Sequence, residues 1–220
     1  MSQRCQPKLR SGEPRKPLVI GLAGGIASGK SLVARELAKL PGVVAIDVDR
    51  LAWEVYRPGT PAYRELVEHF GPEIVGPDGK IDRKRLGERV FSDPEELRFL
   101  DEVVHPALTE RLRELIAEHR RRGTEVLLVE AALLLEAPHV DRGLFDRIIA
   151  LKVDREEQLR RLCERDGLSR EEALRRIGAQ DPGKLEEADF VLDTTGSSPE
   201  ETVAKVRELI LKLIRQSTGG

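Results

Sequence analysis

The chain has 220 residues, with Lys+Arg 37 against Asp+Glu 39 and a formal net charge of -2. That length can bury a sizeable core, and the balance excludes a bulk field that would draw the molecule to nucleic acid or to a membrane surface. No apolar run is long enough to cross a bilayer, there is no secretory h-region, and two distant cysteines (Cys5 and Cys163) make a disulfide framework implausible and fit a reducing, cytoplasmic setting.

Residues 1–16 hold Pro7, Pro14 and several basic residues with no apolar stripe, and read as a disordered tail ahead of one domain over 17–215. The first strand is expected at Leu18–Ala23. Directly after it, Gly24-Gly25-Ile26-Ala27-Ser28-Gly29-Lys30-Ser31 fits the phosphate-loop pattern G-x-x-x-x-G-K-[ST], and helical apolar spacing follows over Leu32–Leu40. Strand, glycine loop and helix together turn the pattern into a mechanism. The glycines let successive N–H groups curl inward as an anion nest, and the helix start adds unpaired amides and a positive dipole end. Lys30 brings a full charge to the β/γ-phosphates, and Ser31 offers a hydroxyl to Mg²⁺. The loop from Gly25 to Leu32 is therefore the expected ATP site.

Further strands are expected at Val43–Ile46, Glu125–Val129, Arg147–Val153 and Phe190–Leu192, each short and rich in Val, Ile or Leu. Helical patterns between them give an α/β fold, a three-layer, doubly wound, parallel five-stranded sheet. Its nucleotide core comprises 17–50, 123–154 and 183–215. Ligands gather beyond the carboxyl ends of such strands, which selects Asp47, Asp49, Glu130 and Asp193–Gly196. Asp47 and Asp49 could equally cap a following helix. Asp49 is favoured to orient and deprotonate an acceptor hydroxyl, and since an aspartate is a weak base, positioning is the larger part of that role. Glu130 is expected to hold metal-bound water.

Residues 51–122 are too long for a plain connection and read as a helical insertion for the acceptor, with helices at Pro94–Leu100 and Pro106–Ala117 and Trp53, Tyr56 and Phe70 in its core. Residues 155–182 are Arg-rich. Most of those arginines read as solvated faces paired with glutamates, but the position suits a lid that carries a guanidinium to the phosphates. A guanine-reading N-K-x-D motif cannot exist, because the chain contains no Asn, and a GTPase-type switch is thereby excluded.

Taken together, several stretches resemble the dephospho-CoA kinase family. They are Gly21–Ser31, Ile46-Asp47-Val48-Asp49, Pro58–Pro61, Phe70-Gly71, Asp78–Arg83, Val90–Asp93, His105-Pro106, Leu133–Glu136, Arg165–Ser169 and Ala188–Leu192, in family order from Val19 to about Leu213. The resemblance implies transfer of phosphate from ATP, with Mg²⁺, to the ribose 3′-hydroxyl of dephospho-CoA. It implies catalytic roles for Asp49, Lys30 and Arg165 (the last also as the lid charge on ATP), acceptor contacts from Asp49, His105, Pro106 and Phe70, and metal contacts from Ser31 and Glu130. A cytoplasmic monomer without nucleic-acid or membrane partners is expected. The chain departs from the family's habit at Asp193-Thr194-Thr195-Gly196, where an Asn usually precedes the Gly on the adenine side, and at Glu130 and Ala132, where Asp and Pro are common. Another nucleotide or small-molecule kinase with the same core is the alternative.

Overall fold

The computed structural model describes residues 16–90, 93–131, 134–135 and 141–217. Expectations for the tail before Lys16, and those involving Phe91, Ser92, Ala132, Leu133 and Glu136, lie outside the described residues. In chain order the elements are β1 (Leu18–Gly24), α1 (Lys30–Leu37), β2 (Val43–Asp47), α2 (Val48–Val55), α3 (Pro61–Phe70), α4 (Arg83–Val90), α5 (Pro94–Arg122), β3 (Val126–Glu130), β4 (Arg147–Lys152), α6 (Arg155–Asp166), α7 (Arg170–Gly178), β5 (Phe190–Asp193) and α8 (Pro199–Ser217). The strands form one sheet in the order β2-β3-β1-β4-β5, every pair parallel. All five expected strands are present, within a residue or so of their expected ends.

The alternation of side chains along β1 builds two layers of core. Ile20 and Leu22 face α1 and α8, packing with Val33, Leu37, Val206 and Ile210. Val19 points the other way, toward Leu51 of α2 and Leu112 of α5. Gly21 has no side chain because there is no room for one. A Cβ there would stand 2.7 Å from Leu134 Cδ2 and 3.3 Å from both Ile148 and Phe145.

The insertion has its own apolar cluster, centred on Leu66, Phe70, Ile74, Leu86, Val103 and Val104. One expectation is corrected here. Pro106 does not start a second helix, because α5 runs unbroken from Pro94 to Arg122 with Pro106 inside it. A proline removes one backbone bond from a helix interior. Here apolar residues on both sides hold the helix together, Val103 and Val104 in the insertion cluster and Leu112 against the sheet, with Leu108 touching both. Trp53 is also corrected: it is 41% exposed rather than core, and the Arg83 guanidinium lies over its ring, 3.0 Å from the centroid.

Candidate active site

The phosphate loop joins β1 to α1 at the carboxyl edge of the sheet. Two of its glycines are required by geometry. Gly24 has φ +153°, and a Cβ would sit 2.7 Å from the Leu151 carbonyl oxygen. Gly29 is left-handed (φ 92°) at the start of α1, where no side chain caps the helix. The first amides of α1 are therefore presented to the loop's hollow. Lys30, 9% exposed, donates from Nζ to the carbonyls of Gly24 at 2.6 Å and Gly25 at 3.2 Å. Ser28 is buried, and its Oγ has no hydrogen-bond partner among the described residues.

Ser31 Oγ donates to Glu130 Oε1 at 2.5 Å, which ties the helix start to the end of β3. Parallel register sets Glu130 beside Asp47 on β2 and Leu22 on β1. Burial pushes the Glu130 carboxyl above its ordinary value of 4.5. The Ser31 hydrogen bond and the Lys30 charge pull it down, while Asp47 and Asp49 push it up. The Ser31 hydroxyl and the Glu130 carboxylate thus meet at the loop, with Asp47 and Asp49 near enough for their charges to act on Glu130. Asp47 is the N-cap of α2, accepting from the Arg50 amide at 2.9 Å, and α2 follows β2 with no residue between them. Asp49 lies in the first turn of that helix.

Hard oxygens of this kind suit Mg²⁺, which keeps several waters and takes only one or two carboxylates beside phosphate. No group of three His, Cys, Asp or Glu that could hold a metal ion exists among the described residues. Ser31 and Glu130 are the residues that fit it.

Helices α6 and α7 pack directly on the loop. Ala27 and Ile26 join Leu159, Leu162, Ala173 and Ile177 in one apolar cluster. The Ile26 amide donates to Gln180 Oε1 at 2.6 Å, Gln158 Nε2 donates to the Ile26 carbonyl at 3.0 Å, and Arg161 donates to the Ala27 carbonyl at 3.1 Å. These three contacts were missed from sequence, where Gln158 and Gln180 carried no motif and Arg161 was one of many arginines. Arg165, the expected lid charge, is paired with Asp166 at 2.7 and 2.9 Å, and its side chain is 63% exposed. It lies one turn beyond Arg161 on the same stripe of α6.

The remaining expected residues sit farther out. His105 lies mid-α5, with Nε2 3.3 Å from Asp101 Oδ1. The α5 helix packs beside α2 through Leu51, Leu108 and Leu112, so the helices carrying His105 and Asp49 are neighbours. Phe70 is 5% exposed in the insertion core, edge-on to Phe99. In the turn after β5, Thr194 is buried and its hydroxyl donates to the Lys152 carbonyl, while Thr195 Oγ1 accepts from the Asp154 amide at 3.0 Å. Those hydroxyls tie the turn after β5 to the end of β4.

A family model described as dephospho-CoA kinase matches residues 18–200. The chain is 46% identical over 196 residues to a dephospho-CoA kinase of Geobacter sulfurreducens, covering 88% of this chain and 98% of that one. It is 47% identical over 200 residues to the one from Geobacter metallireducens, covering 89% and 98%. Among solved structures, a Thermus thermophilus protein superposes with TM-score 0.72 at 35% identity, over 90% of this chain and 98% of that one. A dephospho-CoA kinase from Campylobacter jejuni superposes with TM-score 0.68 at 25% identity, over 91% and 99%.

Proposed function

The chain belongs to the dephospho-CoA kinase family, and from that premise we propose that it transfers the γ-phosphoryl group of ATP to the ribose 3′-hydroxyl of dephospho-CoA, giving CoA and ADP. The observation that carries this reading is the Ser31–Glu130 hydrogen bond beneath Asp47 and Asp49, which sets an acidic, oxygen-rich edge against a phosphate loop.

Phosphoryl transfer needs little covalent help from the protein, so alignment and charge neutralisation dominate. The amides at the start of α1 hold the polyphosphate. Lys30 trades its carbonyl partners Gly24 and Gly25 for phosphate oxygens. Magnesium bound with ATP would supply charge neutralisation to the phosphates, and Ser31 and Glu130 would hold it, Glu130 through water. Asp49 aims the acceptor hydroxyl and takes its proton as the new P–O bond forms and ADP leaves. The acceptor enters along the α2–α5 face, which supports contacts from His105 and Pro106. Phe70 shapes that side from within the insertion core. Arg165 exchanges Asp166 for the transferring group when both substrates are present. We place this reaction in the cytoplasm and assign it to a monomer.

The test is ADP release from ATP with dephospho-CoA, AMP, CMP and shikimate offered in parallel. Turnover with dephospho-CoA is expected, and turnover of AMP without dephospho-CoA would move the chain to another small-molecule kinase. Asp49→Asn is expected to lower kcat by about 10²–10⁴-fold while leaving the melting temperature in place. A near-normal rate removes Asp49 from the mechanism.

A further inference from the structure

The loop residues Ile26 and Ala27 do not hold their shape alone. Ala27 has φ 59°, a left-handed conformation that a non-glycine residue keeps only where its surroundings impose it. The lid side chains supply the imposition. Both backbone groups of Ile26 are engaged by amides from two different helical segments. Gln180, just past α7, accepts from the N–H at 2.6 Å, and Gln158, in the first turns of α6, donates to the C=O at 3.0 Å. Arg161 takes the next carbonyl, that of Ala27, at 3.1 Å. Gly25 makes room for the pair, since a Cβ there would stand 2.7 Å from Gln158 Nε2 and 3.4 Å from Gln180 Oε1.

We propose that Gln158 and Gln180 are positioning residues for the nucleotide, a two-amide clasp that fixes the phosphate loop in its ATP-accepting shape and makes ATP affinity depend on the seating of α6 and α7. The clasp rests on the kinase reading above but uses neither residue on substrate. It spends the Ile26 amide on the lid and leaves the amides at the start of α1 for the phosphates. The polarity of the two side chains is not interchangeable. Ile26 needs an acceptor from position 180 and a donor from position 158, because its N–H faces one and its C=O the other.

That asymmetry gives the experiment. Gln158→Glu and Gln180→Glu place the same added charge beside the same residue, but only the second keeps its bond to Ile26. ATP binding is measured by calorimetry without acceptor, alongside melting temperature and the KM for each substrate. Gln158→Glu is expected to bind ATP about tenfold more weakly than wild type, and at least severalfold more weakly than Gln180→Glu, whose acceptor rescues the contact. Gln180→Met, similar in length and unable to accept well, should raise the KM for ATP about tenfold with the KM for dephospho-CoA unmoved. Equal ATP affinities in the two Glu variants, or a loss explained by a fallen melting temperature, overturns the clasp while wild-type ATP binding leaves the kinase reading standing. A wild-type chain that binds no ATP overturns both.

Discussion

Glu130 is held where an unassisted carboxylate is disfavoured. Burial and two neighbouring aspartates work against its charge, while Ser31 and Lys30 favour it. A residue kept in such a place without ligand costs stability that function recovers when a cation arrives. Glu130→Gln is therefore expected to raise the melting temperature of the ligand-free protein while lowering activity by about 10–100-fold, as loss of a group that orients metal-bound water does. A variant that melts lower than wild type, measured by calorimetry at neutral pH, would show that the carboxylate is structural. The sequence made the carboxylates legible because Asp47, Asp49 and Glu130 stand at or just past the carboxyl ends of strands, where open parallel sheets gather ligands. The absence of Asn from Asp193-Thr194-Thr195-Gly196 was legible too. What was hidden is that Thr194 and Thr195 spend their hydroxyls on the backbone at the end of β4.

Pro106 separates the local signal from the tertiary outcome. A proline in that position reads as a helix start, yet α5 continues through it because its two halves are each buried against a different core. The proline cannot donate to the Glu102 carbonyl four residues back, a loss worth up to about 3 kcal/mol. Pro106→Ala should then stabilise the protein by about 1–3 kcal/mol in urea unfolding. If Pro106 serves the acceptor, the KM for dephospho-CoA rises at the same time. Strands were readable as short apolar runs, whereas a long helix whose apolar stripe changes partner midway has no single period to read. The lid was readable only as an arginine-rich helical stretch. Within that stretch Arg160 and Arg161 are held by Glu157, whose carboxyl, hydrogen-bonded by Arg160 and then by Arg161, is held down to about 2 from 4.5. The folded value lies below the unfolded one, so this contribution is complete above pH 4.5 and is lost as pH falls toward 2. Glu157→Gln should be less stable than wild type at neutral pH, and the difference in urea midpoint should close across that acid window.

At the scale of the molecule, two apolar cores share one helix. The insertion cluster and the sheet meet on α5, with Leu108 in contact with both. Leu66, fully buried in the insertion, should therefore report on the whole chain. Leu66→Ala is expected to cost about 2–5 kcal/mol and to lower a single calorimetric transition rather than split off an early one. Two resolved peaks would mean that the insertion unfolds by itself. The joint between β2 and α2 carries a consequence for how such a chain can vary. Asp47 ends the strand and Val48 begins the helix, so the acid two positions on is placed by the same register that pairs Asp47 with Glu130. Turns far out in the insertion can grow or shrink without disturbing that placement. A single residue added between Val43 and Val48 would slip the pairing of Asp47 with Glu130 by one, turning strand side chains to the opposite face and displacing the first turn of α2 that carries Asp49.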